Sequence, residues 1–266
     1  MLSVETFETI EEAAGAVGER SRFMAGGTLL MVAVNYGNQG FDRIVRTSDR
    51  RLGEISNAGD RVHIGAGVTM AKVAASRDLA FLAPAARSVG GPAIRNRATV
   101  GGNLFAPHPY GDFATALLAL DATVHWADGR EEPIETVLQN RGQSIGLAAA
   151  VSVPRPQADE FRFLKVARVK PKGASVMALA AWLPKSAGRL ENTRIAFGAM
   201  GATAARVKAC EAALNGTNLD ERGIEPALQA ATEGLSPQDD ALASGWYRRE
   251  VAPIHLKRLL IPERRL

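Results

Sequence analysis

The sequence predicts an α+β protein, and three observations point there. Helical and strand-like segments follow one another without a regular strand–helix–strand alternation. Asp128-Gly129, flanked by strand-like runs, marks an antiparallel hairpin. Beyond a proline-rich segment at 154–156, three strand-like runs precede three helices, the pattern of a sheet backed by helices. The 266 residues allow one large domain or two smaller ones. Apolar residues make up 46% and charged residues 23%, and no stretch approaches the roughly 18 consecutive apolar residues of a membrane-spanning helix. The start, MLSVETFETIEEAA, lacks the basic then apolar pattern of a secretion signal, so a cytoplasmic protein is expected.

Thr9 and Glu12 make a capping box, which predicts a helix after Thr9 through the Ala-rich stretch 12–17. A short strand at 23–25 then runs into Gly26-Gly27-Thr28, and 29–36 reads as a helix that Gly37 ends. Alternation at 61–66 predicts a strand, and Thr69 caps a helix through Ser76. Pro84 suits a helix start, and that helix is expected to end near Gly90-Gly91-Pro92. Residues 113–120 form an apolar helix that Asp112 is placed to cap, and runs at 123–126 and 131–134 make the hairpin. Pro154-Arg155-Pro156 followed by Gln157-Ala158-Asp159 is the expected domain boundary, because a strand does not continue through it. This divides the chain into 1–156 and 157–266. In the second part, runs at 161–168, 175–183 and 193–200 predict a three-stranded sheet, with helices at 204–214, about 224–233 and 246–260.

A single cysteine, Cys210, cannot supply the thiolates of a 2Fe-2S cluster or a zinc site. His63, His108, His125 and His255 show no metal-ligand spacing. Redox chemistry in this chain therefore calls for an organic cofactor. Lys+Arg 32 against Asp+Glu 28 gives +4, spread along the chain, which is no nucleic-acid footprint. The tail KRLLIPERRL is a local exception, either a docking element or a solvated end.

Glycine is the biased residue, with 26 of 266, or roughly ten per cent against about seven in ordinary proteins. In AGGTLL, at 25–30, two glycines between a strand and a helix start let several backbone N–H groups converge, which suits a phosphate or pyrophosphate. A tight turn without a ligand has the same signature, so this pair alone leaves both readings open. TVGGN, at 99–103, offers a second concentration of flexible backbone donors. Neither passage is GxxxxGK or GxGxxG, which argues against ATP hydrolysis and a nicotinamide fold. Two such nests suit a ligand whose pyrophosphate is clamped from both sides, a description that a dinucleotide such as FAD fits.

AGGTLL, then IRNRATVGGNL, PYGD and LLALDATV, resemble the FAD-binding (medium) subunit of the molybdenum hydroxylases, the family of carbon monoxide dehydrogenase medium subunits and xanthine dehydrogenase FAD-binding subunits. FRFLKVAR, RIAFGAMGATAARVKACEAALNG and SGWYRREV resemble that family's C-terminal domain, so the likeness spans nearly the whole chain. Its most specific part is IRNxATxGGN with an aspartate nine residues after the asparagine.

The resemblance implies an FAD-binding fold of the p-cresol methylhydroxylase type, with two α+β subdomains at about 1–53 and 54–156, followed by a smaller C-terminal domain. It implies that Phe23, Met24, Ala25, Gly26, Gly27, Thr28, Leu29 and Leu30 wrap the diphosphate. Thr99, Val100, Gly101, Gly102 and Asn103 would add backbone contacts, and Asp112 would hydrogen-bond the ligand. Val89, Ala148 or its neighbour Leu147, and Lys165 would line the flavin site. No catalytic acid, base or metal ligand is implied. The expected partners are a large molybdopterin-binding subunit and a small 2Fe-2S subunit, in one heterotrimer or a pair of them. Electrons would pass from the partner's clusters through FAD to an external acceptor. The alternatives are a stand-alone FAD oxidoreductase of the same fold and a non-flavin assembly subunit.

A carboxylate beside a pyrophosphate is repelled, so Asp112 suits ribityl or ribose hydroxyls, with helix capping as the alternative. Lys165 near flavin N1 or O2 would favour the anionic reduced form, and a surface lysine on an edge strand is the other reading. Tyr110 suits either the ring or simple packing. Two departures from the family stand out: in ARVKPKGASV, Gly173 and Ala174 stand where a carboxylate is common, and His108 stands where small residues are commoner. His108 would then tune the site or lie in solvent. Cys210, in VKACEAAL, reads as a buried structural cysteine.

Overall fold

The computed structural model describes residues 2–37, 40–141, 146–169 and 173–262. β1 (Ser3–Phe7), α1 (Ile10–Ala16), β2 (Ser21–Phe23), α2 (Leu30–Asn35) and β3 (Arg43–Thr47) build a small parallel sheet in the order β1-β3-β2. The capping box forms as expected, with Thr9 Oγ1 accepting from Glu12 N–H and the Glu12 carboxylate accepting from Thr9 N–H. β1 and β3 carry no periodic signal in the sequence. Four of the five β1 residues are exposed, while Ile44 and Val45 of the central strand are both buried, as in a parallel strand covered on both faces. β2 lies two residues earlier than 23–25.

β4 (Ile55–Ala58), β5 (Arg61–Gly65), β6 (Thr123–Trp126), β7 (Glu131–Pro133) and β8 (Ala148–Pro154) form an antiparallel sheet in the order β4-β5-β8-β6-β7. Between β5 and β6 run α3 (Met70–Ala75), α4 (Ala83–Ser88), α5 (Pro92–Arg95), α6 (Val100–Leu104) and α7 (Asp112–Ala119), and α8 (Ile134–Gln139) follows β7. The Asp128-Gly129 hairpin and the Thr69 cap of α3 are both present. Every residue of α7 is buried, so this helix is the centre of the larger core.

The remainder comprises β9 (Phe161–Ala167), β10 (Ser175–Trp182), the two-stranded ribbon β11 (Lys185–Ser186) and β12 (Arg189–Leu190), β13 (Arg194–Gly198), β14 (Ala205–Arg206), α9 (Lys208–Leu214), α10 (Glu221–Gln229) and α11 (Gly245–Leu260). The main sheet has four strands, β14-β13-β10-β9, one more than expected. Ala205 and Arg206 pair with Phe197 and Ala196 as an edge strand, so the helix predicted from 204 begins only at Lys208. Met177, Leu179, Ile195 and Phe197 join α9 to α11 in a second core. The opposite sheet face is built of small residues, among them Ala180, Ala196 and Gly198, and α7 packs on it. A Cβ on Gly198 would lie 2.2 Å from Thr115 Oγ1, so a glycine is needed for that approach.

Cys210 is buried and its thiol donates to the Ala227 carbonyl at 3.0 Å. Burial pushes its pKa up to about 12, which keeps it an uncharged thiol. Lys170, Pro171 and Lys172, and residues 263–266 of the basic tail, lie outside the described residues. Among the described residues no helix is long and apolar enough to cross a membrane.

His108 is not solvent-facing in the sense expected, because it ties the two halves together. Its Nε2 lies 2.8 Å from Asp240 Oδ2, and the fully buried Arg248 donates to the same oxygen at 2.8 Å. Asp240 Oδ1 accepts the N–H groups of Leu242 and Ala243. Burial opposes charge on Asp240, but the donors from His108, Arg248, Ala243 and Leu242 outweigh it and hold the carboxyl well below the usual carboxylate range. A carboxyl lowered in the folded state stabilises above its unfolded pKa of about 3.9, and that contribution disappears as pH falls below it. Asp240→Asn is therefore expected to lose on the order of 1–3 kcal/mol at pH 7 and to flatten the acid limb of stability, read from urea midpoints between pH 7 and pH 3.

Candidate flavin site

The loop between β2 and α2 is shaped by backbone contact. A Cβ on Gly26 would stand 1.8 Å from the Arg97 carbonyl oxygen, so only a glycine lets this loop lie against the segment that enters α6. Gly27 has φ +75°, a left-handed conformation that side chains disfavour. Among the described residues, the backbone N–H groups of residues 25–30 make no hydrogen bond within the chain. α2 has no side-chain cap at Leu29, and its six residues give only a short dipole. The result is a run of free donors on one side of an open cavity of about 1280 Å³.

The second glycine passage behaves differently from the expectation of a donor nest. Residues 100–104 are helical, and their N–H groups are already engaged: Val100 donates to Val68 O, Gly101 to Ala66 O, Gly102 to Thr99 Oγ1 and Asn103 to Thr99 O. The cause is tertiary, since the β5–α3 turn presents carbonyls to α6 and Thr99 caps it. This passage brings bare surface to the cavity instead. A Cβ on Gly102 would meet nothing but Thr99 Oγ1, at 3.0 Å, within 4 Å.

Phe23, Met24, Ala25, Gly26, Gly27, Thr28, Leu29, Leu30, Val89, Thr99, Gly101, Gly102, Asn103, Asp112, Ala148 and Lys165 all line this one cavity, together with Leu147, Tyr110, Gly173 and Ala174. Val100 is the exception, its side chain fully buried in the core beneath. Asn103 also has a structural task. Its Oδ1 accepts from the N–H groups of Phe113 and Ala114, at 3.0 and 3.3 Å, and so caps α7 from ten positions upstream.

Asp112 does not cap that helix. The N-cap position is Gly111, and Asp112 occupies the first turn with its carboxylate turned to two strands of the four-stranded sheet. Lys165 Nζ on β9 donates to Asp112 Oδ2 at 2.7 Å and to the Ser88 carbonyl at 3.0 Å. Ser175 Oγ, on β10, donates to Asp112 Oδ1 at 2.5 Å. The side chains of Lys165 and Asp112 are 12% and 9% exposed, so Lys165 is a partly buried partner of a buried carboxylate despite standing on an edge strand.

Sequence reasoning missed Ser175 and three arginines of the cavity wall. Arg22, Arg46 and Arg50 line the same cavity as the β2–α2 loop, and among the described residues the side chains of Arg46 and Arg50 make no hydrogen bond or ion pair. The run RIVRT has no alternation, but its β-branched Ile44 and Val45 favour a strand, and Arg46 follows from that by position. For Ser175 there was no local signal, because its partner is 63 residues away.

The chain is similar to known sequences and structures along nearly its whole length. Residues 2–156 match the family described as the FAD binding domain in molybdopterin dehydrogenase, and residues 162–262 match the CO dehydrogenase flavoprotein C-terminal domain. The chain is 28% identical over 256 residues to the 6-hydroxypseudooxynicotine dehydrogenase complex subunit alpha of Paenarthrobacter nicotinovorans, covering 91% of this chain and 86% of that one. It is 26% identical over 257 residues to the xanthine dehydrogenase FAD-binding subunit of Escherichia coli O157:H7, covering 91% and 88%. Among solved structures, it shares its fold with a chain of carbon monoxide dehydrogenase from Hydrogenophaga pseudoflava, at a TM-score of 0.89 and 24% identity over 97% of this chain and 96% of the other. A chain of quinoline 2-oxidoreductase from Pseudomonas putida 86 aligns with a TM-score of 0.86 and 25% identity, covering 98% and 95%. The chain belongs to the family of FAD-binding medium subunits of molybdenum hydroxylases, oxidoreductase subunits in which an FAD-binding domain precedes a CO dehydrogenase flavoprotein C-terminal domain.

Proposed function

We propose that the cavity bounded by residues 23–30, 99–103, Asp112 and Lys165 holds one FAD, and that the chain carries electrons from 2Fe-2S clusters of a small partner subunit to an external acceptor. The supporting observation is the run of unused N–H groups at 25–30, whose residues line the same cavity as the Asp112–Lys165 pair. The residues fit the group. N–H donors suit the diphosphate, Arg46 and Arg50 bring uncompensated positive charge beside it, and the bare Gly102 surface leaves room for it. Asp112 has lone pairs left for a ribityl or ribose hydroxyl, and Lys165 holds a positive charge at the strand side of the cavity. The bound flavin supplies reversible electron uptake. The chain's own residues bind it, orient it and place charge around it, and none is needed as a general acid or base.

The division at 154–157 makes the segment 157–266 a second domain that completes the site, through Lys165 and Ser175, on an FAD-binding domain of two subdomains at about 1–53 and 54–156. Substrate oxidation belongs to a large molybdopterin-binding partner, and the assembled heterotrimer, single or doubled, works in the cytoplasm. The test is to purify the chain with its neighbours and alone. A yellow chain that takes up one FAD and elutes with two partners is expected. A chain that stays colourless after incubation with FAD overturns the flavin reading in favour of an assembly subunit, and a yellow chain oxidising substrate by itself favours a stand-alone flavoenzyme.

A further inference from the structure

Asp112 is reached by donors from two successive strands, and only one of these donors belongs to the pair expected from sequence. Lys165 on β9 and Ser175 on β10 take one carboxylate oxygen each, at 2.7 and 2.5 Å. Ser175 is 1% exposed and lines the cavity, directly after Gly173 and Ala174. Lys165 is fixed a second time by the Ser88 carbonyl at the end of α4, just before Val89 and Gly90 of the cavity wall. An ion pair between a flexible lysine and a carboxylate leaves the carboxylate free to turn about its χ angles. A short hydroxyl on a buried β-strand removes that freedom, because a serine side chain has one rotatable bond and its strand is sealed on both faces.

We propose that Ser175 is a positioning residue of the flavin site: it holds the Asp112 carboxylate in the one orientation that faces both Lys165 and the cavity. The proposal rests on the FAD reading above. Ser175 does not itself bind the flavin. It acts through Asp112, from the stretch in which Gly173 and Ala174 contribute no carboxylate to the wall. The C-terminal segment thereby sets flavin affinity through a hydroxyl as well as through a charge.

A double-mutant cycle on the full chain, read as the dissociation constant for added FAD, separates this role from a merely structural one. Ser175→Ala is expected to weaken FAD binding about tenfold, because Asp112 loses a charge-assisted hydrogen bond and its fixed orientation. Ser175→Thr keeps the hydroxyl and suits a strand, so it is expected to bind within about twofold of the parent. Asp112→Asn is expected to weaken binding about tenfold or more, and adding Ser175→Ala to it should change affinity by no more than about twofold. Melting temperatures of the ligand-free variants show that each is folded. If Ser175→Ala binds FAD like the parent, or weakens it as much in the Asp112→Asn background as alone, Ser175 does not act through Asp112 and the proposal fails. If Ser175→Thr binds as poorly as Ser175→Ala, packing and not the hydroxyl is responsible, and the proposal fails in the same way. Failure of the parent chain to bind FAD at all is a different result, which removes the flavin reading itself.

Discussion

Replacing Gly102 with valine is expected to give a folded chain that retains less than about a tenth of the parent's flavin. The new side chain meets only the Thr99 hydroxyl at 3.0 Å and otherwise extends from the first turn of α6, a helix that borders the cavity. Glycine is itself costly within a helix, by about 1 kcal/mol relative to alanine, so the substitution loses little on that account. Disturbing the Thr99 cap costs about 1 kcal/mol, which leaves the melting temperature within several degrees. Gly26→Ala makes the opposite demonstration. Its Cβ would fall 1.8 Å from the Arg97 carbonyl, so the loop and the α6 entrance must separate. Both stability and flavin content should drop, by several kcal/mol for the former. Gly27→Val, with φ +75° at that position, combines backbone strain with occlusion and should also lose flavin. The ratio of flavin to protein absorbance and the ligand-free melting curve measure both quantities. A Gly102→Val chain with full flavin would place the ligand elsewhere.

The second large effect is expected at Lys165. Lys165→Met leaves the Asp112 carboxylate, 9% exposed, with Ser175 as its remaining donor and strips the Ser88 carbonyl of its partner. Breaking a buried pair from one side costs about 3–5 kcal/mol, mostly as the penalty of an uncompensated buried charge. Asp112→Asn is milder, because the amide oxygen still accepts from Lys165. In the combined Lys165→Met and Asp112→Asn chain no charge of this pair remains, so the double variant should regain more than half of what Lys165→Met loses. Urea denaturation of the three variants measures this directly. Simple additivity of the two single effects would mean that the ion pair is already solvated and contributes little.

Legibility in the sequence followed the range of the interactions. The Thr9–Glu12 capping box, the Thr69 cap and the Asp128-Gly129 hairpin are local chemistry, and each appears in place. β8 was silent although it is the middle strand of its sheet, because AAAVSVP is buried along nearly its whole length and shows no alternation. The helix start at Asp112 looked like an ordinary cap, yet the capping oxygen belongs to Asn103. TVGGN looked like a second donor nest, yet carbonyls of Ala66 and Val68 had already taken two of its N–H groups. Edge strand β14 hid within a sequence that reads as the beginning of α9.

By itself the sequence determined the class of the protein, the family, the glycine loop at 25–30 and the absence of enough thiolates for a cluster, because these depend on residue identity and on neighbours a few positions apart. The tertiary structure decided which backbone donors stay free, that Asp112 is clamped between Lys165 and Ser175, and that Arg46 and Arg50 line one cavity with the glycine loop. The reason is physical. A hydrogen bond is settled by whichever acceptor folding brings within 3 Å or so of a donor, and for Asp112 those partners come from 53 and 63 residues along the chain.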